Sequence, residues 1–310
     1  MCRVRIGIGA PVSGSWATPE NLGRLAREAE ELGYASLWTL QRLLVGADQD
    51  LPPVYRSVLD PLVTLAFAAA RTSRIRLGVA VVNLPFVPPA LLAKQAATLD
   101  VLSGGRLDLG LGTGWSPVEF TAAGVSRARR GPRAEEYLRV LHTLWADEVS
   151  AFDGEFYTVA PSRMLPKPVQ RPGPPVLLGG GVPAALRRAG RMAQGWVSSS
   201  GADLTRIADS IALVREGAQE AGRDPDAVRV VVRGVVRWGG PTDRLLSGPA
   251  EKIREDVAWL AEQGVTEVFH DLNFDRTIGS PEADPATGME RALEVLHALR
   301  PVKEDRPGTP

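Results

Sequence analysis

Cysteine is nearly absent: Cys2 is the only one in 310 residues, so no internal disulfide is available and the fold must rest on its core. Histidine is almost as scarce, with His142, His270 and His297, and no group of His, Cys, Asp and Glu shows metal-ligand spacing. An excess of one charge is missing too. Lys plus Arg and Asp plus Glu both number 36, which removes the global field that would draw the chain to nucleic acid or an anionic membrane, and leaves a small organic molecule as the expected partner. No apolar run approaches the ~20 residues that cross a bilayer. Met1 to Trp16 lacks the basic-then-apolar layout of a signal peptide, so a cytoplasmic location is expected. There is no Gly-x-Ser-x-Gly elbow and no pairing of a lone Cys with a downstream His, so nucleophilic hydrolysis has no visible apparatus.

What the sequence has is a repeated alternation. Val4–Ala10 reads as a buried strand, and Thr18 with Pro19 announces a helix that Gly33 stops. Strand Ala35–Leu40 and a helix from Pro61 to about Arg71 follow, then strand Ile75–Val82 and helix Pro89–Leu102. Leu107–Leu111 and the helix Arg133–Trp145 make the fourth unit, and a Gly/Pro-rich excursion fills 151–175. The rhythm resumes with strand Val176–Leu178 and helix Pro183–Met192, then Trp196–Ser199 with Leu204–Ala221. Val228–Val236 with Pro249–Gln263 and Val265–Leu272 with Ala286–Leu299 complete eight units. Most strands are nearly continuous Val, Ile and Leu runs, as when both faces of a parallel sheet are buried. The expectation is an α/β chain forming a single (β/α)8 TIM barrel over residues 1–302, with insertion loops at its C-terminal mouth and a disordered tail over 303–310. A doubly wound open sheet is the other fold considered, but Gly110-Leu-Gly112-Thr-Gly114-Trp115 has Trp where a dinucleotide motif needs its third Gly.

In such a barrel the chemistry sits just after each strand. The strongest local signal is Leu177 to Leu186, where a strand enters three glycines and then a helix opening with Pro183. Open backbone N–H groups and the positive helix end make an anion site there, and Ser198, Ser199 and Ser200 are placed to add hydroxyls. The bland reading is a tight turn using glycine for its positive φ. His142 and His297 fall on helices and read as structural or surface groups. His270, near the end of the eighth strand beside Asp271, is a candidate site residue, a buried strand histidine being its bland reading. With so few reactive side chains, the difficult step falls to a cofactor.

The chain resembles the luciferase-like monooxygenase superfamily, and within it the coenzyme F420-dependent oxidoreductase branch. The resemblance runs from Ile6 to about Leu299 and is most specific in Arg74 to Pro85, Pro89 to Leu107 and Gly110 to Trp115, with Glu119-Phe120 behind. Arg130-Gly131, Glu136-Tyr137, Phe152 to Tyr157, Pro166 to Gln170 and Pro174 to Gly181 extend it. It implies a bulge at the end of the third strand, with a non-proline cis peptide at Val79-Ala80 against the cofactor ring. It implies further that Gln41, Val79, Ala80, Val82, Asn83, Thr113, Gly114 and Glu119 surround the ring and ribityl chain. Gly180, Gly181, Val182, Ala184, Ala185 and Ser199 would hold the phosphate, and Trp38 and Trp115 would line the substrate pocket. Arg42 and His270 are the catalytic candidates, Arg42 for polarising a carbonyl or binding a cofactor carboxylate, and His270 or a nearby water for supplying a proton. Two departures stand out: Gln41-Arg42 replaces an acidic-His pair, and Trp115 replaces an acidic residue. The function implied is hydride transfer between deazaflavin and an enone, imine, activated alkene or alcohol. An FMN-dependent monooxygenase and a non-catalytic cofactor-binding barrel are the alternatives, and relatives suggest a homodimer.

Overall fold

The computed structural model describes residues 4–301; the expected tail and Cys2 lie outside them. Eight parallel strands close a barrel: β1 (Arg5–Gly9), β2 (Ser36–Thr39), β3 (Arg76–Asn83), β4 (Leu107–Gly112), β5 (Val176–Gly179), β6 (Gly195–Val197), β7 (Arg229–Val235) and β8 (Glu267–Asp271). Each strand pairs with its sequence neighbours and β8 pairs back to β1, so the sheet has no free edge. Around it run α1 (Pro19–Leu32), α2 (Pro61–Ala69), α3 (Pro89–Leu102), the short α4 (Pro117–Ala122), α5 (Arg130–Ala146), α6 (Pro183–Met192), α7 (Ile207–Glu220), α8 (Ala250–Glu262) and α9 (Pro285–Ala298). The eight expected units are all present. α4 was not expected, and α5 begins three residues earlier than its apolar pattern suggests. The excursion after α5 contains an antiparallel hairpin of Ser150–Asp153 with Thr158–Ser162.

Local chemistry sets the helix starts. Thr18 accepts a hydrogen bond from the Asn21 N–H, Asp60 from Leu62 and Val63, and Asp284 from Thr287, each before a proline in the first turn. Outward strand residues such as Leu77, Leu109 and Val232 pack on the helices in one continuous core.

Inward residues form layers. At the base, Asp108 receives Arg76 at 2.8 Å and Arg229 at 2.7 Å, while Glu267 receives Arg5 at 2.9 Å and the Trp38 indole N–H at 2.9 Å. Burial alone would raise the Asp108 pKa, but the hydrogen bonds from Arg76 and Arg229 hold it below the ordinary value. Above this lies an apolar layer of Trp38, Leu177, Val197, Val231 and Phe269, with the Trp38 and Phe269 rings stacked at 5.1 Å. The top layer opens into the mouth.

Candidate functional site

The mouth is shaped by a defect in β3. Its register against β4 shifts between Val79 and Val82, so the strand bulges inward and presents both Ala80 and Val81 to the mouth. The non-proline cis peptide is Ala80-Val81, one residue beyond the expected Val79-Ala80. Glycines opposite make room: a Cβ on Gly110 would fall 2.0 Å from the Val79 carbonyl oxygen, and one on Gly112 would fall 2.5 Å from a Val81 methyl. The Asn83 N–H beyond the bulge donates to the Gln41 side-chain oxygen at 2.8 Å, tying β3 to the loop after β2.

A cavity of about 260 Å³ lies over this bulge. Its lining takes in the expected Gln41, Arg42, Ala80, Asn83, Thr113, Gly114, Trp115, Gly180 and Ser199, so residues far apart in sequence share one place. Arg42 forms the rim. Its guanidinium donates to Glu119 at 2.8 Å and lies 4.5 Å from the Trp115 ring centre and 4.9 Å from that of Tyr55. Glu119 also accepts from the Leu43 N–H at 2.8 Å, so the residue anchors this wall and does not itself line the cavity. Tyr55 reaches in from the loop before α2, its hydroxyl 3.1 Å from Ser200 Oγ.

Beneath the mouth lies a pair of which strand-end reasoning missed one member, Arg233, and named the other, Asp271, only as the neighbour of His270. Arg233, in β7, donates from Nε to Asp271 of β8 at 2.6 Å, and both side chains are almost wholly buried. Asp271 in turn accepts from the Asn273 N–H at 3.0 Å and its side-chain amide at 2.9 Å. The alternation Arg229, Val231, Arg233 points inward along β7, and that period of two is the signal that identifies Arg233.

Toward α6 the lining becomes rich in donors. Gly180 has φ +136°, a conformation suited to glycine, and its carbonyl is held by the Trp196 indole N–H at 2.8 Å. Val182, the N-cap of α6, gives no side-chain capping bond, and Gly181, Val182 and Ala184 are exposed with Ala185 half-buried. Pro183 has no N–H and the Ala185 N–H turns back to the Val182 carbonyl at 2.9 Å, so the first turn of α6 keeps the Ala184 N–H open near Gly180 and Ser199, at the helix end that favours an anion. Gly181 through Ala185 adjoin the cavity and do not line it.

Four expected positions lie elsewhere. Val79 and Val82 face the helices in the outer core and are buried there, because the bulge turns Ala80 and Val81 inward in their place. Trp38 sits beneath the mouth in the apolar layer, its indole N–H committed to Ser36 and Glu267. His270 points out of the barrel wall, since its neighbours Phe269 and Asp271 point in. It faces a separate apolar cavity of about 570 Å³ lined by Ile6, Leu32, Ile253, Val257 and Leu299. Neither ring nitrogen of His270 has a hydrogen-bond partner among the described residues, and burial pushes its pKa down to about 4. Among the described residues there is no group of His, Cys, Asp and Glu able to hold a metal, and no helix long and apolar enough to cross a membrane.

The apolar bulge flanked by a donor-rich helix start fits a flat ring joined to an anionic tail. Relatives bear on what that means. The family model described as luciferase-like monooxygenase matches residues 2–247. An uncharacterised protein of Mycobacterium tuberculosis is 32% identical over 284 residues, covering 88% of this chain and 91% of that protein. The F420-dependent glucose-6-phosphate dehydrogenase of Kineococcus radiotolerans is 32% identical over 221 residues, covering 70% of this chain and 63% of that one. The crystal structure of monooxygenase RslO1 from Streptomyces bottropensis superposes with a TM-score of 0.78 at 24% identity, covering 96% of this chain and 98% of that one. With its closed eight-stranded barrel and bulged third strand, the chain belongs to the luciferase-like monooxygenase family of oxidoreductases.

Proposed function

We propose that this protein is a coenzyme F420-dependent oxidoreductase that moves a hydride between the deazaflavin and a small organic substrate. The observation that carries the reading is the continuous surface from Ala80 and Val81, through Thr113 and Gly114, to Gly180 and Ser199. An apolar platform suits the ring, and the positive end of α6, with its open Ala184 N–H and the Ser199 hydroxyl nearby, suits the phosphate. The F420-dependent dehydrogenase among the relatives supports the choice of cofactor. When bound, the deazaflavin supplies a two-electron hydride acceptor or donor that does not activate oxygen.

The protein's part is to bind, orient and handle protons. Gln41 fixes the bulge through Asn83, and Arg42 with Trp115 walls the mouth against water. His270 is outside this wall and Glu119 is committed to Arg42, so neither serves as the acid. Tyr55, hydrogen-bonded to Ser200 on the lining, is the group placed to pass a proton between solvent and substrate. Titrating the purified protein with oxidised deazaflavin and with FMN, by fluorescence, tests the reading. Saturable binding of the deazaflavin is expected; tight binding of FMN with none of the deazaflavin would replace it with the monooxygenase alternative.

A further inference from the structure

We propose that Arg233 receives the substrate's oxygen, and that the substrate class is therefore neutral carbonyl compounds, enones and ketones in particular, to the exclusion of imines. The inference rests on the function proposed above. Arg233 lines the floor of the mouth beside the bulge, with Nη1 3.5 Å from the Ala80 carbonyl oxygen. Its guanidinium is held from two sides, with Asp271 taking Nε at 2.6 Å and the Phe274 ring 5.0 Å from Cζ, while the Arg233 backbone N–H donates to Ser198 Oγ at 3.0 Å and ties β7 to the loop after β6.

The support continues outward. Asn273, which donates to Asp271, also donates to the Ala10 carbonyl at 2.9 Å and accepts from the Val12 and Ser13 N–H groups at 3.3 Å. Asp271 and Asn273 are positioning residues. The Arg233 Nη2 group has no partner among the described residues, so the held guanidinium offers donors to the mouth.

Charge decides between ligands. Each guanidinium on the lining is balanced by one buried carboxylate, Arg42 by Glu119 and Arg233 by Asp271. The mouth therefore has donors in excess without net positive charge. A neutral carbonyl oxygen gains a charge-assisted hydrogen bond there, whereas a protonated imine meets no unpaired carboxylate on the lining, only hydroxyl and amide oxygens, and faces the donors of the Arg233 guanidinium. As a hydride and its electron pair reach the substrate carbon, the C=O π pair moves to oxygen, directly in a ketone or displaced by the shifting C=C pair in an enone, and Arg233 stabilises the alkoxide or enolate oxygen. A proton drawn from solvent through Tyr55 then completes the alcohol or saturated ketone. Preorganised donors at the site of developing charge are the arrangement that lowers such a barrier.

The test uses full-length protein loaded with oxidised deazaflavin, which binds substrate without turnover, and cyclohex-2-enone as the probe. The readouts are its dissociation constant and its carbonyl stretching band. In the wild type the band shifts to lower frequency on binding. The paired replacement Arg233→Met with Asp271→Leu leaves no buried charge unpartnered. It is expected to abolish the shift and weaken enone binding roughly 10- to 100-fold while keeping deazaflavin affinity. Arg233→Lys, which keeps charge but loses the fork, is expected to give an intermediate shift and serves if the paired variant does not fold. An unshifted band in the wild type, an equal shift in the variants, or tighter binding of a cyclic iminium than of the enone overturns the inference and leaves the cofactor reading standing. Failure of the wild type to bind deazaflavin overturns both.

Discussion

Glu119 holds Arg42 at the barrel mouth through a hydrogen bond of 2.8 Å between two almost wholly buried charges. Removing one partner strands the other in a low-dielectric site, so Glu119→Ala is expected to cost about 3–5 kcal/mol of stability. Urea unfolding checks this. A loss below about 1 kcal/mol would place the pair among those that surface water already screens.

The bulge offers a second prediction. A Cβ at Gly112 would fall 2.5 Å from a Val81 methyl, so Gly112→Ala is expected to destabilise by about 1–3 kcal/mol and to weaken deazaflavin binding by displacing the platform. Trimming the obstruction with Val81→Ala in the same chain is expected to recover part of the loss. A double-mutant cycle with unfolding and cofactor titration as readouts measures that coupling, and simple additivity would refute the steric account.

How much of this was legible in sequence follows from what each signal encodes. The eight units were legible because strands buried on both faces leave Val-, Ile- and Leu-rich runs, as in Val228–Val236 despite Arg229 and Arg233, and because Thr18-Pro19 and Asp284-Pro285 mark helix starts. The convergence of Gln41, Ala80, Thr113 and Gly180 followed from the rule that barrel strands end at the site. The facing of individual residues was not legible from proximity to a strand end. His270 and Asp271 are adjacent, yet one faces helices and the other the mouth, because side chains alternate. The bulge breaks that alternation, which is why Val79 and Val82 turn away while Ala80 and Val81 both turn in. Arg233 was missed for a related reason: it lies within its strand, two residues before the end.

His270 gives a pH dependence with a definite sign. Its folded pKa of about 4 lies below its ordinary value of 6.5, so the unfolded chain binds the proton first. Stability from this group is present above about pH 6.5 and falls as pH drops toward 4, by roughly 3 kcal/mol across that window. His142 is also lowered by burial and acts in the same direction. The difference between wild type and His270→Leu isolates the first: the variant is expected to match or exceed wild-type stability at pH 7 and to lose less between pH 6.5 and 4.5. Parallel curves in urea unfolding would contradict the assignment.

Tyr55→Phe removes the proposed proton carrier and leaves the ring platform intact. Turnover is expected to fall about 10²- to 10⁴-fold, with deazaflavin affinity unchanged. Stopped-flow absorbance of the reduced cofactor reads the first and fluorescence titration the second. An unaffected rate would mean that water alone supplies the proton.

A crystal structure of the protein grown with deazaflavin tests the central claim most directly. The account predicts ring density against Ala80 and Val81, with the phosphate at Gly180 and the first turn of α6. Cofactor density in the cavity beside His270, or a mouth that stays empty at saturating cofactor, would contradict it.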